Sequence, residues 1–458
     1  MTYLSRRTRL LIFAALAAAL TWISCKDDGT SSPSPFELVQ TNTAGVPLEW
    51  MKLFLELDRY AQGYRPGPAA RALAYINLAA YESCLNGMPH YLSLQNLYAG
   101  LSLPTADKSK DYHWPTVLNA VYASMIQHFF PGQALAPGQQ TDLLFKILEL
   151  QEAFSQEFSA KVGNTIFNRS EAHGEAVADA IWEWSKTDQF GHDAYLFPRP
   201  ASYVPLVGPG LWKPTPPDFS AALFPYWGNV RTFSIQPEDK IAKSPLTFSQ
   251  ESTSPLYAQG LEVRNTVENL TFNEQWIAEF WSDDFTGQTF SPASRWISIA
   301  CQVIKNEDSD LETAIYAFSK LSLALNDAAV ACWHSKYIYN VERPVTYINR
   351  VIDSTWKPHW DSTPSFPAYP SGHATFGAAA AETLSHVFGY NFAMTDSSHE
   401  GRDEFLSTPR SFASFYEMAN ENAYSRIPLG VHFQMDADEG LRLGFRIGRK
   451  VNEMPFKK

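Results

Sequence analysis

A chain of 458 residues with 45% hydrophobic content is long enough to bury a large core, and a formal net charge of −12 argues against a nucleic-acid partner, which needs a basic surface. No Lys/Arg run long enough to form such a surface is present, so an anion site here must be a local basic pocket in an acidic protein. The four cysteines, Cys25, Cys84, Cys301 and Cys332, are not at metal-ligand spacing, which argues against a thiolate metal centre.

Residues 1–24 read as an export signal: Arg6, Arg7 and Arg9 precede the apolar stretch Leu10 to Leu20, which is too short to span a bilayer. Ile23-Ser24-Cys25 resembles a bacterial lipobox, with Trp22 where a leucine is usual, so Cys25 is expected to be lipidated. Lys26-Asp27-Asp28 resembles the acidic tag of surface lipoproteins, and residues 25–37 are read as the lipidated cysteine and its tether. The implied location is the outer membrane or cell surface, with contact to membrane only through the lipid; a periplasmic or secreted protein is the alternative. Cys84, Cys301 and Cys332 would then allow at most one disulfide.

Apolar residues recur at helical spacing from Pro47 to about Gly87, and again over Trp114–Phe129, Gln140–Gly163 and Ser170–Lys186. Between Gln189 and Thr247 prolines accumulate, which predicts long ordered loops able to rim a pocket. Helical periodicity resumes over Asn273–Asp283, Ser294–Lys305 and Asp308–Trp333, and Leu321 to Asn340 is read as one helix. Strand-like alternation is scarce. Residues 38–458 are therefore expected to form a single all-α domain, with the chemistry between 333 and 436.

Three segments in that last third supply an oxyanion site. In the first, Trp333, Lys336, Tyr337 and Asn340 share a helix face, and Arg343 stands before Pro344, which disfavours helix at the arginine. In the second, Pro370-Ser371-Gly372-His373 precedes a run of four alanines, so Ser371 or Gly372 should cap a helix and aim free N–H groups at an anion. His373, in the first turn, is placed to act as an acid or base. In the third, Pro428 fits the first turn of a helix, leaving Ser425 and Arg426 in the loop before it. His432 and Asp436 lie four apart, so the carboxylate can orient the ring. Gly440, Gly444 and Gly448 recur every four residues and predict tight helix packing. Each segment alone also reads as ordinary capping, solvation or packing; the three together read as a site.

The joint pattern, Lys-x6-Arg-Pro, Pro-Ser-Gly-His and Ser-Arg-x5-His-x3-Asp, resembles the signature of the superfamily that unites vanadium-dependent haloperoxidases with type-2 phosphatidic acid phosphatases and bacterial acid phosphatases. That resemblance implies an all-α helical bundle with long proline-rich loops. The longer central motif from Phe366 to Gly377, the aromatics Trp333 and Phe366, Ile277–Asp283 and Trp212–Pro217 are similar to the haloperoxidase branch, and to bacterial iodoperoxidases and bromoperoxidases within it. The resemblance implies vanadate as cofactor, bonded by His432 and held by Lys336, Arg343, Ser371, Gly372 and Arg426. It implies His373 as the proton acceptor from hydrogen peroxide, Lys336 as the group polarising the peroxide, and Trp333 and Phe366 on the halide side. Iodide is the expected halide, with bromide second, and the product is hypohalous acid. Asp436 and Asp283 are expected behind the site, Asp283 as a partner of Arg426. Two alternatives remain: an acid phosphatase working through a phosphohistidine at His432, and a non-catalytic surface lipoprotein that captures anions. Halide preference, organic acceptor and oligomeric state are not legible.

Overall fold

The structure is a computed structural model that describes residues 37–283, 285 and 287–458. The expected signal segment, lipid attachment at Cys25 and most of the tether lie outside these residues. Thirteen α-helices and one two-stranded antiparallel ribbon, β1 (Met394–Asp396) with β2 (Arg410–Phe412), make up the regular structure among the described residues.

The N-terminal helices are α1 (Gly45–Tyr60), α2 (Gly67–Cys84), α3 (Trp114–Phe129), α4 (Gln140–Val162) and α5 (Asn164–Lys186). The expected segment Pro47–Gly87 is thus two helices. The break includes Gly63, whose φ of +70° and close approach to the Tyr195 backbone suit no other residue. Between residues 189 and 247 only 3-10 turns occur, as the prolines predict. This stretch is nevertheless tightly strapped to the helix behind it. The Asp327 carboxylate accepts from the Phe233 and Ser234 amides at 2.9 and 2.7 Å, and the Trp212 amide donates to the Asn340 carbonyl at 2.6 Å.

The C-terminal helices are α6 (Pro255–Glu268), α7 (Phe272–Phe280), α8 (Pro292–Asn306), α9 (Leu311–Tyr339), α10 (Pro344–Val351), α11 (Gly372–Phe388), α12 (Phe415–Tyr424) and α13 (Gln434–Asn452). Helix α9 is the axis: it is buried on nearly every face from Leu311 to Lys336 and packs against α2, α11 and α13. One helix therefore spans what the sequence divided into two overlapping segments. It ends at Asn340 in the left-handed region, φ 49°. One apolar cluster runs from Val39 to Phe456, and the Tyr81 hydroxyl on α2 donates to the Leu92 carbonyl at 2.7 Å with the Phe456 carbonyl 3.1 Å away. Cys84, Cys301 and Cys332 are buried free thiols.

The glycine stripe on α13 brings the site together. A Cβ at Gly440 would lie 2.7 Å from the Ser371 carbonyl oxygen, at Gly444 2.3 Å from that of Thr375, and at Gly448 2.5 Å from Glu382 Cβ. The absent side chains let α13 seat directly on α11. The Ser371 amide then donates to the Asp436 carbonyl at 2.8 Å, which joins the start of one helix to the start of the other.

Candidate active site

A cleft of about 590 Å³ opens above the N-termini of α11 and α13. Its floor includes Gly372, His373, Arg426 and His432, one wall carries Trp333 and Phe366, and the proline-rich loop contributes Thr215, Pro216 and Pro217 to the rim. All three sequence segments therefore meet at one place.

Ser371 is the N-cap of α11, its hydroxyl accepting from the Ala374 amide at 3.4 Å. Gly372 is the first residue of that helix, where backbone N–H groups lack intrahelical partners. A Cβ at Gly372 would touch only Trp333, at 3.6 Å, within a 4 Å radius, so the glycine is not demanded by protein packing. What its missing side chain leaves open is the cleft.

His432 precedes α13, and its Nδ1 lies 2.9 Å from Asp436 Oδ2, which also accepts from the Phe433 amide at 3.0 Å. With the proton on Nδ1 facing the carboxylate, the Nε2 lone pair is presented to the floor of the cleft. Arg343 Nη1 stands 3.3 Å from that Nε2 and donates to the Val431 carbonyl at 2.8 Å, while its Nε donates to the Phe366 carbonyl at 2.9 Å. Arg343 Nη2 is buried and has no hydrogen-bond partner among the described residues. Such a charged donor is costly to bury unless an acceptor completes it. Arg426 donates from Nε to the Ser425 hydroxyl at 2.9 Å and from Nη2 to the Trp281 carbonyl at 2.7 Å, and its Nη1 is 3.4 Å from His373 Nε2.

These groups make a strongly positive floor. Burial, then Arg426 and Lys336, hold His373 well below the usual imidazole range; burial, then Arg343 and Lys336, do the same for His432. Burial pushes Arg343 down to about 9 and Lys336 down as well, whereas it pushes Asp436 up. The shifts of His373, His432, Lys336 and Arg343 record a shortage of negative charge or of solvent around the basic groups, whereas that of Asp436 records its burial. An oxyanion on the floor would relieve that shortage.

Several comparisons bear on this geometry. Residues 316–457 match the family model described as the VCPO second helical-bundle domain. The chain is 24% identical to the vanadium chloroperoxidase of Curvularia inaequalis, over 89% of this chain and 82% of that protein. It is similar to the crystal structure of the first bacterial vanadium-dependent iodoperoxidase, with a TM-score of 0.78, 29% identity, and 91% and 98% of the two chains covered. The matched segment carries the whole oxyanion constellation, and the chain is similar to vanadium haloperoxidases along most of its length. An apo bacterial vanadium-dependent chloroperoxidase shares the fold, with a TM-score of 0.60 at 14% identity over 84% of this chain and 92% of that one.

Within this family framework, several sequence expectations need correction. Lys336 is not on the cleft surface: its ammonium donates to the carbonyls of Pro367, Ala368 and Pro370 at 2.9, 2.8 and 2.6 Å, which occupies all three hydrogens. It clamps the loop that leads into Ser371 and adds charge from behind; touching an anion or a peroxide requires releasing a carbonyl. Asp283 lines the cleft, but its Oδ1 is 3.2 Å from Arg295 Nη1 and 2.9 Å from His399 Nε2, and Arg426 reaches this stretch through the Trp281 carbonyl. The carboxylate goes to Arg295 because that guanidinium is fully buried and needs counter-charge. Pro428 does not begin a helix. Residues 425–430 form turns, and α13 starts only at Gln434, so His432 sits just ahead of the helix that carries Asp436.

The sequence reading also missed residues. Arg295, His399 and Asp396 form a buried charged group beside the cleft, and no local motif marks them. Asn422, whose amide donates to the His373 carbonyl at 3.2 Å, lies on α12, a helix too polar for its periodicity to stand out.

Proposed function

We propose that this chain is a vanadate-dependent haloperoxidase that uses hydrogen peroxide to oxidise halide, iodide foremost, to hypohalous acid. The donor set fits the cofactor. The Nε2 of His432, with its lone pair toward the cleft and Arg343 3.3 Å away, is a ligand atom, and the Nη2 of Arg343, the guanidinium of Arg426, the N–H groups at Gly372 and the Ser371 hydroxyl match the oxygens of a tetrahedral anion. Lys336 contributes charge from behind. When bound, vanadate supplies an electrophilic centre that activates peroxide without changing its own oxidation state.

The protein's share is positioning and proton handling. Asp436 keeps the His432 proton on Nδ1, so Nε2 stays a lone-pair donor. His373, held neutral by burial and by Arg426, can accept a proton at Nε2 from an incoming peroxide.

The observation that favours halide chemistry over phosphate ester hydrolysis is the Trp333–Phe366 wall. The two rings meet at 4.9 Å between centroids, and cations stand behind them: Lys336 is 5.1 Å from the Phe366 centroid and 5.7 Å from that of Trp333, and Arg343 is 4.9 Å from that of Phe366. An apolar surface backed by positive charge suits a large, weakly hydrated anion. Iodide is the least hydrated and most easily oxidised of the common candidates. The test is to reconstitute purified apoprotein with orthovanadate and assay peroxide-dependent iodide oxidation beside p-nitrophenyl phosphate hydrolysis. Vanadate-dependent iodide oxidation is expected; vanadate-independent phosphate hydrolysis with no iodide oxidation would replace this reading by the phosphatase one.

A further inference from the structure

Helix α7 ends against the cleft, and two arginines take carbonyls at its end. Arg426 Nη2 donates to the Trp281 carbonyl at 2.7 Å, and Arg295 Nη1 donates to the preceding one, of Phe280, at 3.1 Å. Arg426 faces the cleft. Arg295, in the first turn of α8, lies wholly behind it with no exposed surface.

Arg295 is held from every direction. Its Nε and Nη2 donate to Asp396 Oδ2 at 3.0 and 2.8 Å, its Nη1 donates to Asp283 Oδ1 at 3.2 Å, and its guanidinium carbon lies 4.5 Å from the Phe280 ring centroid and 4.8 Å from that of Trp281. Asp396 is fixed in turn by the Ser398 hydroxyl at 2.6 Å and the Gln302 amide at 3.1 Å. A planar guanidinium with fixed donors can hold two carboxylates, a carbonyl and two ring faces at once, which a lysine ammonium cannot.

We propose that Arg295 is a positioning residue for the oxyanion site. It fixes the end of α7 so that the Trp281 carbonyl holds Arg426 in place, 3.4 Å from His373, and it keeps the Asp283 carboxylate turned away from the cations of the floor. Without that guanidinium, Asp283, which lines the cleft, keeps the His399 ring 2.9 Å away but loses its charged partner, and becomes a built-in competitor for Arg426 against any bound anion. The inference deepens the proposed function, because it concerns the same floor. Its primary readout is anion affinity, which does not depend on the reaction.

The test uses the purified apoprotein and inorganic phosphate as probe, with orthovanadate in parallel, titrated by calorimetry. Arg295→Lys keeps the charge and loses the fork. It is expected to fold, by circular dichroism, and to bind phosphate on the order of tenfold more weakly, the usual cost of removing a group that orients a ligand's direct partners. Adding Asp283→Asn to Arg295→Lys removes the competitor and is expected to recover part of that affinity. If Arg295 only stabilises the fold, the melting temperature falls while the folded protein's phosphate affinity stays at the wild-type value; that result overturns the proposal, as does a double variant no better than Arg295→Lys alone. If both wild type and variants bind phosphate as expected but none oxidises iodide after vanadate loading, the haloperoxidase reading fails and the positioning role stands.

Discussion

His373 and His432 lie under the same group of cations, but they face different partners, and that difference divides their work. His432 has a carboxylate behind Nδ1 and Arg343 3.3 Å from its Nε2; His373 has Arg426 3.4 Å from its Nε2 and, among the described residues, no carboxylate partner. His432→Ala should abolish retention of vanadate on a desalting column, whereas His373→Ala should retain it and lose about 10²-fold or more in turnover. Equal loss of vanadate in the two variants would reject that division. A buried cation far from the chemistry gives a separate test of how burial acts here. Lys320 on α9 is 1% exposed, donates to the Tyr316 hydroxyl at 3.3 Å, and has no carboxylate within 4.0 Å among the described residues. Burial pushes its amine from 10.5 down to about 7. The unfolded chain therefore binds this proton more readily than the folded one between those values, so the stability contributed is complete above about 10.5 and is lost as pH falls toward 7. Lys320→Met should raise the unfolding free energy by about 1–3 kcal/mol at pH 7 and by less at pH 10. Calorimetry showing an equal gain at both values would contradict the shift.

At the level of elements, two glycines that look alike in the sequence do opposite jobs. Gly444→Ala would press a Cβ to 2.3 Å from the Thr375 carbonyl oxygen, forcing α13 off α11, and should cost about 1–3 kcal/mol in chemical denaturation. Gly372→Ala meets only Trp333 at ordinary contact distance and should leave the fold's stability within about 1 kcal/mol, while weakening phosphate binding to the apoprotein, because the new methyl group enters the cleft. A Gly372→Ala protein that binds phosphate as tightly as wild type would show that the anion does not approach that backbone. The start of α11 was legible because Ser371, Gly372 and the alanine run are local signals. The start of α13 was not. Pro428 carries the usual mark of a helix start but lies in a run of turns, and the true first turn, at Gln434, is set by Asp436 accepting from the Phe433 amide. Helix α6 was missed because it buries only Leu256, Gly260 and Val263, and α10 and α12 because they are short, at 8 and 10 residues.

Across the whole molecule, residues more than ninety positions apart in sequence close one site because α9 runs through the core, and the proline-rich loop, α11 and α13 are all fastened to it. The motifs identified the groups on the floor of the cleft, since side chains that hold an oxyanion come in short ordered segments. They did not identify the contacts that orient those groups. Arg295 with Asp396 and Asp283, or Lys336 with three carbonyls, depend on chain crossings that no local spacing encodes. No helix among the described residues is long and apolar enough to cross a membrane. We propose that Cys25 carries lipid: Cys25→Ala should abolish palmitate labelling and move the protein from the membrane to the soluble fraction, and labelling that survives the substitution would reject that assignment.

We propose that vanadate binds at His432 Nε2, among Arg343, Arg426 and the N-terminus of α11. Anomalous diffraction at the vanadium absorption edge, on crystals of the protein loaded with orthovanadate, tests it directly. A single strong peak at bonding distance from His432 Nε2 is predicted, and it should vanish in His432→Ala crystals treated in the same way. A peak elsewhere, or one that persists in the variant, would contradict it.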